Sequence, residues 1–184
     1  MHATEAELAE RFAAVLQAAG GSSQSLAVPR EIAGAIVRVA RGQAAREILY
    51  EPTALVDRLG LKLLLAAHGI ELVTVGEAGG RAAELKVSLT GAELAIAETG
   101  TLLVGGRPGG WGLATVLPWV HVVLLPAGRI VADLPAAFER FAARLSGGEA
   151  DWVWITGPSR TADIGHKLVL GAHGPNALEV LIVE

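Results

Sequence analysis

The sequence predicts an α/β fold with three layers, in which helices cover both faces of a largely parallel sheet. Segments with helical spacing of apolar residues alternate with short unbroken apolar runs, which are typical of strands buried on both faces. Apolar residues make up 52% of the 184 residues but aromatic residues only 4%, so the core must be mainly aliphatic. Because the composition does not shift along the chain, we expect one domain over residues 1–184, whose residues 1–50 form a helical N-terminal part.

The N-terminal half is predicted to be mainly helical. The first helix spans residues 5–19, because Thr4 and Glu7 have the spacing of a capping box and Gly20 stops the helix. The further predicted elements of this half are a loop over residues 22–28, a helix over 29–41, a helix over 53–68 and a strand over 70–75.

The C-terminal half has shorter apolar runs, which predict strands separated by turns. Two strands are predicted around the turn Glu98-Thr99-Gly100, and a helix is predicted to begin at Asp133. The predicted elements are, in order, a helix over residues 81–87, strands over 92–97, 101–104 and 120–125, a helix over 133–145, a strand over 152–155, a turn over 156–159 followed by a short helix, and a strand over 178–183.

The composition excludes several classes of function. The net charge of −4 and the lack of a basic run with interleaved aromatic residues argue against nucleic acid as a partner. The chain contains no cysteine, so it offers no thiolate to an iron–sulfur cluster or to a structural zinc ion. Its five histidines include no pair with the helical spacing of a metal site. The sequence therefore predicts no cofactor and no metal.

The N-terminal sequence and the hydropathy predict where the protein resides. The first residues lack the basic segment and apolar stretch of a signal peptide, and the longest apolar runs are shorter than a membrane span. We therefore expect a cytoplasmic protein without a membrane span.

The turn around Glu98 is the first candidate site. Glu98, Thr99 and Thr101 place a carboxylate and two hydroxyl groups beside Gly100, directly after an apolar strand. The carboxylate is isolated in an apolar stretch, so it needs a partner or solvent. In the functional interpretation Glu98 is a catalytic nucleophile, a general base or an anchor for a ligand hydroxyl, and its three neighbours bind the ligand.

The structural alternative assigns Glu98 no role toward a ligand. Its carboxylate would cap nearby backbone amides, or it would pair with Arg107 or Arg160. Spacing alone leaves both interpretations open.

The turn around Ser159 is the second candidate site. Gly157 lets the backbone turn closely, and the free amides together with the Arg160 guanidinium suit a carboxylate or a phosphate. Thr161 and Asp163 complete the predicted ligand-binding set. In the structural alternative, Ser159 caps a helix and Asp163 pairs with Arg160, so that none of these residues binds a ligand. Ligands of parallel sheets bind outside the carboxyl ends of strands, so both turns are predicted to lie at that edge.

Four tryptophans flank these turns in the sequence. They fit either the wall of a pocket or a contact between subunits, and they are Trp111, Trp119, Trp152 and Trp154.

The C-terminal half of the chain resembles the lactate utilization protein C family. The similarity lies in the segment Gly91-Ala92-Glu93-Leu94-Ala95-Ile96-Ala97-Glu98-Thr99-Gly100-Thr101 and in residues 118–130, 157–164 and 170–175. The resemblance implies a fold similar to phosphosugar isomerases and coenzyme A transferases, in which a carboxylate near a strand end can act on a ligand. It also implies membership of a three-protein bacterial system that oxidises L-lactate to pyruvate, in which the sister proteins carry iron–sulfur clusters.

Three hypotheses follow for the function. In the first, the chain is an accessory or ligand-binding subunit of lactate oxidation without a redox centre of its own, and its partners are the cluster-carrying proteins and a small anionic ligand. In the second, it is a free-standing enzyme that uses Glu98 on a small carboxylate, thioester or phosphosugar. In the third, it is a structural or regulatory module that binds other proteins.

Overall fold

The computed structural model of the chain describes residues 3–105, 111–145, 152–162, 168–170 and 174–184. The helices of these residues are α1 (Glu5–Ala18), α2 (Pro29–Gly42), α3 (Ala54–Arg58), α4 (Leu61–Ala66), α5 (Val75–Ala78), α6 (Trp111–Val116) and α7 (Leu134–Leu145). The strands are β1 (Ser22–Leu26), β2 (Glu47–Tyr50), β3 (Glu71–Val73), β4 (Val87–Ile96), β5 (Thr101–Gly105), β6 (Val120–Pro126), β7 (Ile130–Val131), β8 (Trp152–Ile155), β9 (Arg160–Ala162), β10 (Leu168–Leu170) and β11 (Ala177–Val183). Two 3₁₀ turns cover Gly79–Glu84 and Ala127–Arg129.

Six strands form the parallel part of the main sheet. Their order is β1-β11-β6-β4-β2-β3, and each neighbouring pair is parallel. In the centre of the sheet, Ser88 of β4 stands opposite Leu49 of β2 on one side and His121 of β6 on the other. The prediction of an α/β fold with a largely parallel sheet is confirmed.

Strand β4 continues beyond the parallel strands and builds a second part of the sheet. From Ala92 onward the strand pairs with β5 in antiparallel fashion, with a shift of register between Ala92 and Leu94, and its last two residues also pair with β7 in parallel fashion. On its other side, β5 pairs with β8 in antiparallel fashion. The predicted pair of strands around Glu98 is therefore present, although the first strand begins five residues earlier than expected.

Helices cover both faces of the parallel part. On one face, the buried side chains of α2, α3 and α4 pack against aliphatic residues of the central strands, among them Ile48, Leu89 and Val122. On the other face, Phe12 and Leu16 of α1 pack against aliphatic residues of β6 and β11. Ala114 of α6 packs with Leu49 on this second face. The core thus lies in two apolar layers, as expected for a sheet between helices.

The capping signals in the sequence are present in the structure. The Thr4 hydroxyl accepts a hydrogen bond from the Glu7 amide, and the Glu7 carboxylate accepts one from the Thr4 amide. Asp133 accepts a hydrogen bond from the Ala136 amide at the start of α7. These local contacts place the helix starts where the sequence predicts them.

Several local predictions were wrong, and in the strands contacts distant in the sequence decided the conformation. Residues 22–26, predicted as a loop, form β1, since their backbone pairs with β11 over five residues. Strand β2 was not predicted. The predicted helix over 53–68 is broken at Gly60, which adopts a left-handed conformation with φ +63°. The segment after the turn at 156–159 forms β9, paired with β10, instead of a helix. Residues 81–87, predicted as a helix, are divided between a 3₁₀ turn and the start of β4.

Among the residues that the structure describes, no helix is both long and apolar enough to cross a membrane.

Candidate functional site

The turn between β4 and β5 presents Glu98 to solvent. Its backbone is held by hydrogen bonds from the Glu98 amide to the Ala132 carbonyl and from the Gly100 amide to the Ile96 carbonyl. Glu98 and Thr99 are exposed, whereas Gly100 and Thr101 are buried. Within the described part of the chain, the Glu98 carboxylate forms no hydrogen bond or ion pair. The pairing with Arg160 is therefore not formed, and Arg107 lies outside the described residues.

A chain of three hydroxyl groups joins this turn to the turn after β8. The Oγ1 atoms of Thr99 and Thr101 are 2.6 Å apart, and the Oγ1 atoms of Thr101 and Thr156 are 2.8 Å apart. Each hydroxyl group can donate one hydrogen bond and accept another, so the hydrogen bonds along these three hydroxyls can run in either direction. The two turns singled out in the sequence are thus direct neighbours.

The C-terminal end of α1 packs on both turns, and two glycines permit this approach. A Cβ atom at Gly100 would lie 2.8 Å from the backbone nitrogen of Leu16. A Cβ atom at Gly157 would lie 2.6 Å from the carbonyl oxygen of Ala19, and the φ of Gly157 is +82°. Both predicted site glycines therefore serve the contact between α1 and the turns.

Arg160 lies at the edge of the two paired turns, beside the end of α1. Its side chain is exposed, and its guanidinium passes so close to Gly20 that a Cβ atom there would overlap it. The Ser159 amide donates a hydrogen bond of 2.8 Å to the Pro175 carbonyl. Because Arg160 begins β9, Ser159 does not cap a helix, and this part of the structural alternative is wrong. The backbone of Thr161 pairs with β10, and Asp163 lies outside the described residues.

The two turns follow the carboxyl ends of β4 and β8, but they do not sit at the carboxyl edge of the six parallel strands. The Ser159 turn contacts Pro175, which precedes β11, and both turns contact the end of α1, which precedes β1. The two turns therefore lie beside the segments that lead into the amino ends of β1 and β11. The cause is that β4 leaves the parallel sheet after Gly91 and carries its turn away from that edge.

The chemistry available at the paired turns is an exposed carboxylate, an exposed guanidinium and three hydroxyl groups. The Arg160 guanidinium can pair with a ligand carboxylate in a fork geometry. The threonine hydroxyls can bind a ligand hydroxyl or carbonyl. This set suits a small polar anion.

Two of the four tryptophans pack on α7. Trp152 meets Phe141 edge to face, with ring centroids 4.9 Å apart, and Trp154 lies 6.2 Å from Phe138. Trp119 is exposed, and the side chain of Trp111 is not among those described. Trp152 therefore belongs to the packing of α7 on the second part of the sheet.

Sequence reasoning missed a row of buried polar side chains in the parallel sheet. It consists of Glu51, Ser88, Thr90 and His121, all of which are buried. The Thr90 Oγ1 and the His121 Nε2 are 2.8 Å apart. Burial lowers the pKa of His121 to about 3, so the ring is neutral at pH 7. A sequence signal existed, because His121 interrupts an otherwise apolar strand and Glu51 directly follows one.

Similarity to known proteins covers nearly the whole chain. The family model described as LUD domain matches residues 9–183. Lactate utilization protein C of Halalkalibacterium halodurans is 27% identical over 156 residues, which cover 82% of this chain and 68% of that protein. Lactate utilization protein C of Deinococcus radiodurans is 34% identical over 96 residues, which cover 52% of this chain and 45% of that protein. The chain spans about half the length of several curated relatives that it matches.

A solved structure shares the fold over the full chain. It is the crystal structure of a DUF162 family protein from Deinococcus radiodurans, with a TM-score of 0.71, 22% identity and 100% of both chains covered. At this identity the similarity establishes the fold alone.

The contact between Gly157 and α1 can be tested by Gly157→Ala. We expect the free energy of unfolding to fall by at least about 1–2 kcal/mol, because the new Cβ atom meets the Ala19 carbonyl and the left-handed φ disfavours alanine. Chemical denaturation measures this loss. Gly42→Ala is the matched control, since no described atom lies within 4 Å of its Cβ position and it ends a helix, so it should cost nothing. Equal stability of the two variants would contradict the close approach.

The burial of His121 predicts a pH dependence of stability. The folded chain holds this ring neutral, whereas the unfolded chain protonates it near the ordinary pKa of 6.5. The free energy of unfolding should therefore fall as the pH drops from about 6.5 toward about 3, by up to about 1.4 kcal/mol per pH unit from this residue. Denaturation curves between about pH 7 and about pH 4 should give a shallower dependence for His121→Gln than for the unaltered chain. Equal slopes for His121→Gln and the unaltered chain would contradict this role of the buried ring.

Proposed function

Because the chain belongs to the LUD domain family, we propose that it takes part in L-lactate utilization as a ligand-binding component without a redox centre of its own. The names of the relatives support the pathway. The observation that carries the ligand-binding role is the 2.8 Å contact between the Thr101 and Thr156 hydroxyls, which joins the Glu98 and Ser159 turns beside Arg160.

The ligand we propose is a small 2-hydroxy or 2-oxo carboxylate. The Arg160 guanidinium would bind its carboxylate, since the guanidinium is exposed and held near the end of α1. The hydroxyls of Thr99 and Thr156, both exposed, would bind its second oxygen. Gly100 and Gly157 support this arrangement by allowing α1 to hold both turns in place.

The proposed partners are proteins that carry iron–sulfur clusters. Oxidation of L-lactate to pyruvate releases two electrons and two protons, so the system needs an electron acceptor. This chain contains no cysteine and contributes no thiolate for a cluster. We infer that the electrons pass to the partners and that this chain assists by holding a substrate or product.

A second candidate function is favoured by the environment of Glu98. Its carboxylate is exposed near the three threonine hydroxyls and forms no hydrogen bond or ion pair within the described residues. Such a group is available to act as a nucleophile or general base on a small carboxylate, thioester or phosphosugar. In this alternative the chain is an enzyme by itself.

The pathway is tested by deleting the gene in its host and restoring it in variant form. The deletion strain should fail to grow on L-lactate but should grow on pyruvate, and the unaltered gene should restore growth on L-lactate. Arg160→Gln should restore it poorly, because loss of the charged hydrogen bonds should lower ligand affinity about ten- to a hundredfold. Arg58→Gln, an exposed arginine on α3 on the opposite face of the sheet, is the matched control. Undiminished growth of the deletion strain on L-lactate would refute the proposal.

Glu98→Gln distinguishes the two candidate functions in the same strain. If the chain binds a ligand without chemistry at Glu98, the variant should restore growth. Its free energy of unfolding should change by less than about 0.5 kcal/mol, because the side chain is exposed. Loss of growth with unchanged stability of the purified variant would instead favour the enzyme.

A further inference from the structure

Thr101 stands in the middle of the three hydroxyl groups that join the paired turns. It begins β5, and the antiparallel register of β5 with β8 places it opposite Thr156. Gly100, with φ +65°, turns the chain back, and the Thr99 hydroxyl thereby comes within 2.6 Å of the Thr101 hydroxyl. Both contacts are therefore set by the backbone of the strand pair and its turn.

Only the two outer hydroxyls are placed to reach a ligand. Thr99 and Thr156 are exposed, whereas only 8% of Thr101 is exposed. Among the residues that the structure describes, the Thr101 hydroxyl has no hydrogen-bond partner besides these two. Thr101 therefore acts on a ligand through its neighbours and does not touch the ligand itself.

The direction of the hydrogen bonds limits what the outer hydroxyls can offer. Each hydroxyl has one proton, so the three groups form two hydrogen bonds that run from Thr99 through Thr101 to Thr156 or the reverse way. In either direction, one outer hydroxyl donates its proton to Thr101, and only the other has a proton free for a ligand. The two ends therefore present one donor and one acceptor.

A single ligand oxygen can bridge both ends. The outer Oγ1 atoms lie 2.6 Å and 2.8 Å from the Thr101 Oγ1, so they are at most about 5.4 Å apart, a gap that two hydrogen bonds of about 2.8 Å can bridge. A ligand hydroxyl donates to one end and accepts from the other, which closes a ring of four hydrogen bonds. A ketone oxygen only accepts, so the ring stays open and one hydrogen bond fewer forms.

We propose that Thr101 is a positioning residue through which the paired turns prefer a 2-hydroxy carboxylate to the corresponding 2-oxo carboxylate. The inference rests on the proposed function, because Arg160 must hold the ligand carboxylate for the second oxygen to reach both turns. It narrows the ligand from either oxidation state to the reduced one. In the oxidation of L-lactate to pyruvate, the site holds the substrate more tightly than the product.

Calorimetric titration of the purified chain with L-lactate and with pyruvate tests this preference. We expect L-lactate to bind about two- to tenfold more tightly, which is the effect of one additional hydrogen bond. Equal affinities, or tighter binding of pyruvate, would overturn the inference and leave the ligand-binding role intact. If neither compound binds, the inference and the proposed ligand-binding role both fail. This comparison needs no substitution, so it does not depend on the folding of a variant.

Thr101→Val and Thr101→Ser assign the preference to the Thr101 hydroxyl. Valine keeps the shape of the side chain and removes the hydroxyl, so both outer hydroxyls have a free proton and can donate to a ketone. The ratio of the two dissociation constants should then fall to about one, whereas serine, which keeps the hydroxyl, should restore the ratio of the unaltered chain. A merely structural role of Thr101 would weaken both ligands alike and leave the ratio unchanged.

Thr115→Val is the matched control. It removes a buried hydroxyl that donates a hydrogen bond to the Gly112 carbonyl in α6, outside the paired turns, and should leave the ratio unchanged. A preference for L-lactate that persists in Thr101→Val, or that Thr101→Ser does not restore, would contradict the inference.

Discussion

Strand β4 hydrogen-bonds to four other strands, and the positions of the paired turns and of the buried polar row depend on how it divides its length among them. Its first five residues pair with β6 in the parallel sheet and bring Thr90 beside Glu51 and His121. From Ala92 onward the same strand pairs with β5 and then also with β7, and the turn that follows it, with Glu98, meets the end of α1. A strand that must satisfy two sets of backbone partners has little freedom to shift, because a slip of one residue would invert every side chain.

The paired turns and the buried polar row differ in charge, and the difference follows from their exposure to water. At the paired turns, the Arg160 guanidinium and the Glu98 carboxylate are exposed, so water solvates both charges and a ligand can displace that water. In the parallel sheet, burial keeps His121 neutral, and Glu51, Ser88 and Thr90 are buried as well. A charged ligand therefore suits the paired turns, whereas the buried row excludes water.

The sequence predicted the elements whose signals are local. The capping box of Thr4 and Glu7 and the helix start at Asp133 depend on residues three apart. The apolar run of β8 is continuous, and those of β6 and β11 are interrupted only by His121 and Glu179. Strand β1 escaped prediction because its side chains are polar and only its pairing with β11 makes it a strand. At the candidate site, the residue types of both turns were recognised, but their separation of 55 residues along the chain, from Thr101 to Thr156, concealed the contact.

The sequence by itself determined the α/β class, the cysteine-free chemistry and the two turns with polar side chains, since composition and short-range periodicity carry that information. Only the tertiary structure decided that these turns meet against α1, that they lie away from the carboxyl edge of the parallel strands, and that Glu51, Ser88, Thr90 and His121 form one row. The physical reason is that strand order and register arise from backbone hydrogen bonds between distant segments. Any backbone can form those bonds, so the amino-acid types along a single strand do not reveal its neighbours.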